Sequence, residues 1–215
     1  MAGVLFTSSA WGNLGLNIGD DADSVLNRRR DLQRSLSLSS LIYMEQTHSN
    51  VVSIVDEDVE IVKADAIVTS HKNVGLAVLV GDCVPILIRS SHAVAAVHAG
   101  RKGMMNGIVK ETVMAMRSYP GDNFEAIMGP SICSDCYEVS PEMYGEVTAD
   151  FPSSATTIQK HALDMHSELA EQLTAEGVEV LNLGICTHEY PEYYSHRRSQ
   201  KSGTPEGRQV GVIWL

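Results

Sequence analysis

The sequence predicts an α+β fold: one domain over residues 1–215, with central mixed β-sheets flanked by helices. Three observations carry that expectation. Apolar runs of four to eight residues recur between Asp, Gly, Asn and Ser, the length of strands in a largely buried sheet. Three longer segments read as helices, and they separate clusters of strands instead of alternating with single strands. The chain has 215 residues, 44% hydrophobic and 20% charged, enough to bury one sizeable core.

Taken in order, "DADSVLNRRRDLQRSL" reads as the first helix, with Asp21 or Asp23 able to accept hydrogen bonds from its exposed amides. The runs "LIYME", "VVSIV", "ADAIVTS", "VGLAVLV", "PILIR" and "AVAAVHA" then predict strands. "GMMNGIVKETVMAMRS" places Met105, Ile108, Thr112 and Met116 at helical spacing, so a second helix should pack there. "FEAIMG" reads as another strand. "HALDMHSELAEQLTAEG" repeats Ala162, Met165, Leu169 and Leu173 on one helical face and ends at Gly177, a C-terminal cap. "VEVLNLG" and "RQVGVIWL" close the chain as strands.

Sixteen Lys and Arg against 27 Asp and Glu give a net charge of −11. That balance argues against nucleic acid as a partner, because such binding depends on a basic surface that neutralises phosphates. A small phosphate-bearing substrate remains open, since it needs only a few local cations. No run approaches the length of a membrane span. The start, "MAGVLFTSSAWGN", lacks the basic and long apolar regions of a secretory signal, so a cytoplasmic location is expected. Four cysteines in such a chain read as thiols or ligands before disulfides.

Three polar residues end apolar runs. His48 stands in "EQTHSNVV", a polar turn that exposes the imidazole. Cys83 follows "VGLAVLVGD", where Gly81 permits close backbone approach and Pro85 restricts Val84. His98 ends "AVAAVH", with Ala99 and Gly100 leaving space beside the ring. These residues support three readings. Converging, they make a zinc site with three protein ligands, the catalytic kind that activates water. Alternatively Cys83 is a nucleophile with His98 or His48 as its base, provided Asp82 points away from the thiol. The third reading is packing, because the spacing is too wide for a local metal motif.

Cys133 and Cys136 form a lone C-x-x-C, and "ICTHEY" adds Cys186 and His188. Together they could make a structural Cys₃His zinc site, but a zinc ribbon would show a second C-x-x-C, and packing is the expectation. His71, His92, His161 and His166 read as surface residues, the last two on the long C-terminal helix.

The blocks "EQTHSNVV", "ADAIVTS", "LVGDCVPILI", "AAVHAGRKG", "IMGPSICSDCYEV" and "YYSHRRSQKSGTPEGRQVGVIWL" together resemble the YfiH-like family. That family is also called the laccase-domain or multicopper polyphenol oxidase family, purine nucleoside phosphorylase and peptidoglycan-editing factor. The resemblance runs through nearly the whole chain in order. It implies the fold above and a metal site of His48, Cys83 and His98, with zinc preferred over copper. It also implies phosphorolysis of adenosine, inosine, guanosine and methylthioadenosine, with adenosine deamination, so purine nucleosides and phosphate are the expected partners.

Around that triad, Asp82 is assigned to the catalytic group, and Asp82 and Asp65 are candidates for orienting an imidazole. Arg197, Arg198 and Arg101 are assigned to phosphate, while Lys201 reads as a solvated surface charge. Gln46 and Asn50 are assigned to the base or ribose. The family's H-A-G-W-R-G is here His98-Ala99-Gly100-Arg101-Lys102-Gly103, so cations stand where an aromatic wall is expected. An N-terminal arginine of the family pattern is also missing from "FTSSAWGN".

Rival expectations are a Cys-His amide hydrolase of a peptidoglycan precursor, a polyphenol oxidase, and a binding protein without turnover. The oxidase fits poorly: the chain has eight histidines and none in H-x-H pairs.

Overall fold

Eleven strands and six α-helices succeed one another in the described residues, 2–56, 59, 61–121, 123–156 and 161–215, of this computed structural model. The first half holds β1 (Gly3–Phe6), α1 (Ala22–Ser35), β2 (Ser40–Met44), β3 (Val52–Ile54), β4 (Ile61–Val62), β5 (Ala66–Thr69), β6 (Val74–Val80), β7 (Val84–Arg89) and β8 (Val94–Ala99). The second holds α2 (Arg101–Met105), α3 (Ile108–Met116), β9 (Phe124–Met128), α4 (Pro141–Asp150), α5 (Met165–Ala175), β10 (Val178–Asn182), α6 (His196–Ser202) and β11 (Gln209–Trp214).

Two mixed sheets result. One has the order β1-β11-β6-β2-β4, and the other β10-β9-β7-β8-β5-β3. Alternation along the strands sets how they stack. On β6, Val74, Leu76, Val78 and Val80 join Leu87, Val94 and Ala96 of the second sheet in one cluster, so the sheets pack face to face. Ala77 of β6 turns the other way, toward Leu32 of α1. On β7 and β8, Ile86, Ile88, Ala95 and Val97 face α3 and α5. The order of layers is therefore helix, sheet, sheet, helices. Among the described residues no helix is long and apolar enough to cross a membrane.

The register of the β7–β8 pair positions two of the polar strand ends. Val84 lies opposite Ala99 and Pro85 opposite His98. Cys83, one residue before β7, is thus delivered to the same end of the sheet as His98. His98 continues the face of Val94 and Ala96, so its ring lies where the two sheets open apart.

The expected elements form, with two corrections. The single helix expected over "GMMNGIVKETVMAMRS" is two, because Gly107 takes the left-handed conformation (φ 81°) that breaks α2 from α3. Ile108, Thr112 and Met116 are buried as expected, but on α3 alone. The last long helix starts at Met165 and not at His161, because Asp164 accepts a hydrogen bond from the Ser167 amide and caps it there. His161 and Ala162 therefore precede the helix. Asp21 caps α1 through the Ser24 amide, and Gly177 (φ 73°) follows α5 as expected.

The α2–α3 corner gives a direct test. Gly107→Ala meets no neighbouring atom, yet forces an L side chain into the left-handed region. It should cost roughly 1 kcal/mol, read as a lower urea midpoint at unchanged slope. A stability equal to wild type would mean the corner is one continuous helix.

Candidate metal and active site

Asp65, immediately before β5, is fully buried. Its carboxylate accepts from the amides of Thr47 (3.1 Å), His48 (3.0 Å) and Ser49 (2.7 Å), and from the hydroxyls of Thr47 (3.2 Å) and Ser49 (2.6 Å). These bonds wrap the turn after β2 around one charge and hold His48 at φ 61°, a conformation rare outside glycine. The other side of the carboxylate takes His98, whose Nδ1 lies 2.8 Å from Oδ1. An ionised acceptor there requires the proton on Nδ1 and leaves Nε2 facing the site.

His48, Cys83 and His98 converge. The Cys83 Sγ is 3.6 Å from His48 Nε2, and the two rings meet edge to face with centroids 4.6 Å apart. One donor atom from each residue lies within 4.8 Å of the other two. Gly100 keeps the approach open, since a Cβ there would stand 2.7 Å from His48 Cδ2 and 3.1 Å from the Cys83 sulfur. Two imidazoles and a thiolate form a donor set that suits zinc, and three protein ligands leave a coordination position for substrate or water. The Asp65 hydrogen bond to His98 is the outer support that histidine ligands ordinarily carry. The residues present therefore fit a metal.

Without an ion the site is an ion pair. Burial alone would raise the Cys83 thiol, but the His98 charge and hydrogen bonds from His48 and His98 outweigh it, bringing the thiol down to about 6. Burial would likewise lower His98, yet the Cys83 thiolate and the Asp65 carboxylate raise it to about 9. Burial also works against the Asp65 carboxylate, and the His98 and Ser49 hydrogen bonds still hold it well below the usual range.

The triad lines a cavity of about 730 Å³, the size of a small-molecule site. Arg101 and Arg197, the two arginines expected to meet phosphate, also line it. Arg197 sits 5.4 Å over the Tyr137 ring, and its Nη1 donates to the Glu138 carbonyl (2.9 Å). Burial and the Cys83 thiolate push the Tyr137 hydroxyl up, while Arg101 and Arg197 pull it down, and all four side chains line the cavity. Tyr137, Arg29 and Arg208 line the cavity too, and sequence reasoning passed over all three. Tyr137 carried a signal, as the aromatic next to Cys136. Arg29 and Arg208 carried none, being one of three consecutive arginines and a residue at a strand start.

Four of the expected residues have their polar groups engaged by the protein itself. The Arg198 guanidinium holds the carbonyls of Thr187, His188, Tyr190 and Tyr193, so it staples a loop and does not line the cavity. Gln46 lines the cavity, but both ends of its amide pair with the Leu79 backbone (2.8 and 2.9 Å). Asn50 donates to the Asn106 carbonyl (2.8 Å) and ties the turn to the α2–α3 corner. Asp82 (φ 93°) also lines the cavity, but turns its oxygens to the Thr187 hydroxyl (2.7 Å) and the Arg197 amide (2.6 Å), away from both imidazoles. It positions α6, while Asp65 alone orients His98. Lys102 and Lys201 are exposed.

Cys133, Cys136 and Cys186 also bring their sulfurs within 4.8 Å of one another, but His188 is not among the converging donors. Burial and neighbouring sulfurs push the Cys133 and Cys136 thiols up. His71, His92 and His161 are exposed as expected. His166, in the first turn of α5, is half-buried and not exposed: its Nε2 lies 2.6 Å from the Ser131 hydroxyl, and burial lowers its pKa.

The chain matches, over residues 2–215, the family described as multi-copper polyphenol oxidoreductase laccase. It is 40% identical over 216 residues to a purine nucleoside phosphorylase of Corynebacterium glutamicum, covering 94% of this chain and 86% of that one. A protein of the same name from Streptomyces coelicolor is 36% identical, covering 94% and 87%. The purine nucleoside phosphorylase YfiH of Shigella flexneri is 33% identical, covering 94% and 86%. Among solved structures, a Neisseria meningitidis protein superposes with a TM-score of 0.87 at 28% identity, over 100% of this chain and 94% of that one. Bacillus licheniformis YfiH, at 23% identity, shares the fold with a TM-score of 0.84, over 100% and 92%.

The ion pair makes Cys83 testable alone. In metal-stripped protein its alkylation by iodoacetamide, mapped by mass spectrometry, should follow an ionisation near about pH 6. In His98→Gln the profile should move toward the ordinary thiol range, about 8.5. A wild-type profile already centred there would remove the imidazolium from the site.

Proposed function

The chain belongs to the multi-copper polyphenol oxidoreductase laccase family, and from that premise we propose that it is a metal-dependent purine nucleoside phosphorylase. One observation carries the reading: His48, Cys83 and His98 share a single cavity with Arg101, Arg197 and Tyr137. The relatives named purine nucleoside phosphorylase support the same assignment. The proposal extends to adenosine, inosine, guanosine and methylthioadenosine as substrates, to adenosine deamination, to zinc as the ion and to the cytoplasm as the location.

In phosphorolysis a phosphate oxygen forms a bond to ribose C1′ as the C1′–N9 bond breaks, and the departing purine takes up a proton. A dianionic nucleophile must first enter a chain of net charge −11. Arg101 and Arg197 offset that repulsion locally and can hold phosphate by charge-assisted hydrogen bonds. Tyr137, against which Arg197 packs, offers an aromatic face for the base or ribose. His48, Cys83 and His98 would hold the metal, which supplies Lewis-acid polarisation of a substrate oxygen or activation of water. Asp65 keeps the His98 ring from rotating, and Asp82 seats Arg197 by its amide.

The Cys83–His98 ion pair favours one rival, amide hydrolysis by a thiolate. The two differ in their second substrate. Purified protein should release hypoxanthine from inosine only with inorganic phosphate, and ribose 1-phosphate should accumulate in equal amount. Cys83→Ala should lose both metal and turnover. Arg101→Ala and Arg197→Ala should each raise the KM for phosphate about 10- to 100-fold, the worth of one charged hydrogen bond. Base release without phosphate, or amide cleavage with no nucleoside turnover, would replace the phosphorylase reading.

A further inference from the structure

We propose that Cys133, Cys136 and Cys186 form a second, structural site for a thiophilic divalent ion of the zinc type, completed by the Glu189 carboxylate. The three sulfurs lie within 4.8 Å of one another although Cys186 is 50 residues from Cys136 in sequence. A tetrahedral ion with bonds of about 2.3 Å to sulfur sets its sulfurs about 3.8 Å apart, so a small contraction closes the site. The Cys136 thiol donates to Glu189 Oε1 at 3.8 Å, so this exposed carboxylate stands at the edge of the cluster and must turn inward to act as a fourth donor, one the sequence did not suggest. Neither Glu189 nor His188, the fourth ligand that the sequence suggested, lies within 4.8 Å of all three sulfurs, and Glu189 is the one in direct contact with a cluster thiol.

The backbone delivers the sulfurs together. Ser131 pairs with Cys186 in a parallel bridge, with the Ser131 amide donating to the Ile185 carbonyl (3.1 Å) and the Thr187 amide to the Ser131 carbonyl (2.9 Å). Cys133 opens a tight turn in which the Cys136 and Tyr137 amides both donate to its carbonyl (3.1 and 3.0 Å). The Cys133 amide donates to the Cys186 sulfur at 3.4 Å, which holds the turn against the Cys186 loop. Cys186 is buried, while Cys133 and Cys136 are partly exposed, which leaves an entry path for the ion.

An ion here would clamp the cavity wall. The turn carries Tyr137, the Ile132 amide donates to the Asp82 carbonyl (2.9 Å), and the Cys186 loop is the one Arg198 staples to α6. The site is separate from the His48–Cys83–His98 centre and does not depend on the phosphorylase reading.

The test is metal loading without the first site. Cys83→Ala removes the only thiolate of that centre, so any thiolate-to-cobalt charge transfer in the cobalt-loaded variant comes from the cluster. It should bind about one cobalt with the intense visible bands of a tetrahedral sulfur-rich site. Adding Cys136→Ser should abolish that absorption. In otherwise wild-type protein, Cys186→Ser and Cys133→Ser should each lower tightly held zinc by about one equivalent, which guards against misfolding of the Cys83 variant. The proposal fails if cobalt is not bound while the three thiols remain open to titration. It fails equally if the intact mass shows two hydrogens lost to a disulfide in reductant-free buffer.

Discussion

Asp65 accepts six hydrogen bonds in a position no solvent reaches, and the geometry of the site descends from that one charge. A carboxylate buried alone would cost several kcal/mol, so it must gather donors or take up a proton. It gathers them from a turn 16 to 18 residues earlier and from a strand 33 residues later. The bonds to the turn set the backbone of His48. The bond to His98 decides which nitrogen carries its proton. Cys83 completes the arrangement because β7 and β8 pair in a register that leaves its sulfur beside both rings.

The same economy of charge explains the cavity. A net charge of −11 disfavours anions almost everywhere on this surface, yet four arginines, 29, 101, 197 and 208, line one pocket. Two of them are held by contacts that also fasten the fold. Arg29 lies 3.9 Å over the Tyr43 ring and donates to the Leu14 carbonyl at 2.9 Å. Arg197 enters at the start of α6, where Asp82 receives its amide. The pocket is cationic because the surrounding helices and strand ends are fastened with guanidinium groups.

Much of the architecture was legible from alternation and turn residues, because strands buried on both faces leave continuous apolar runs. The break at Gly107 was harder, since Ile108, Thr112 and Met116 keep helical spacing whether or not the helix continues before them. At the site, residue type indicated which side chains could do chemistry, but not which way they face. Arg197 and Arg198 look alike in "SHRRSQ", and only the turn of α6 sends one to the cavity and the other to four carbonyls. Gln46 and Asn50 looked available for a ligand, yet the backbone around them had amides and carbonyls to satisfy. Asp65 and Asp82 were equivalent until burial separated them.

The β7–β8 pairing has a consequence for divergence among related chains. Residues 90–93 join the two strands at the end opposite Cys83 and His98, beyond the pair Arg89 and Val94. Insertions at that tip leave the ladder between Val84 and Ala99 unchanged, so the sulfur-to-imidazole spacing behaves as a caliper insulated from loop length. A slip of one residue within the strands instead turns every side chain to the opposite layer and dismantles the core together with the site. Variation is therefore channelled: the exposed tip at Ser91 and His92 tolerates change, while the buried end of the hairpin cannot shift without disturbing the core.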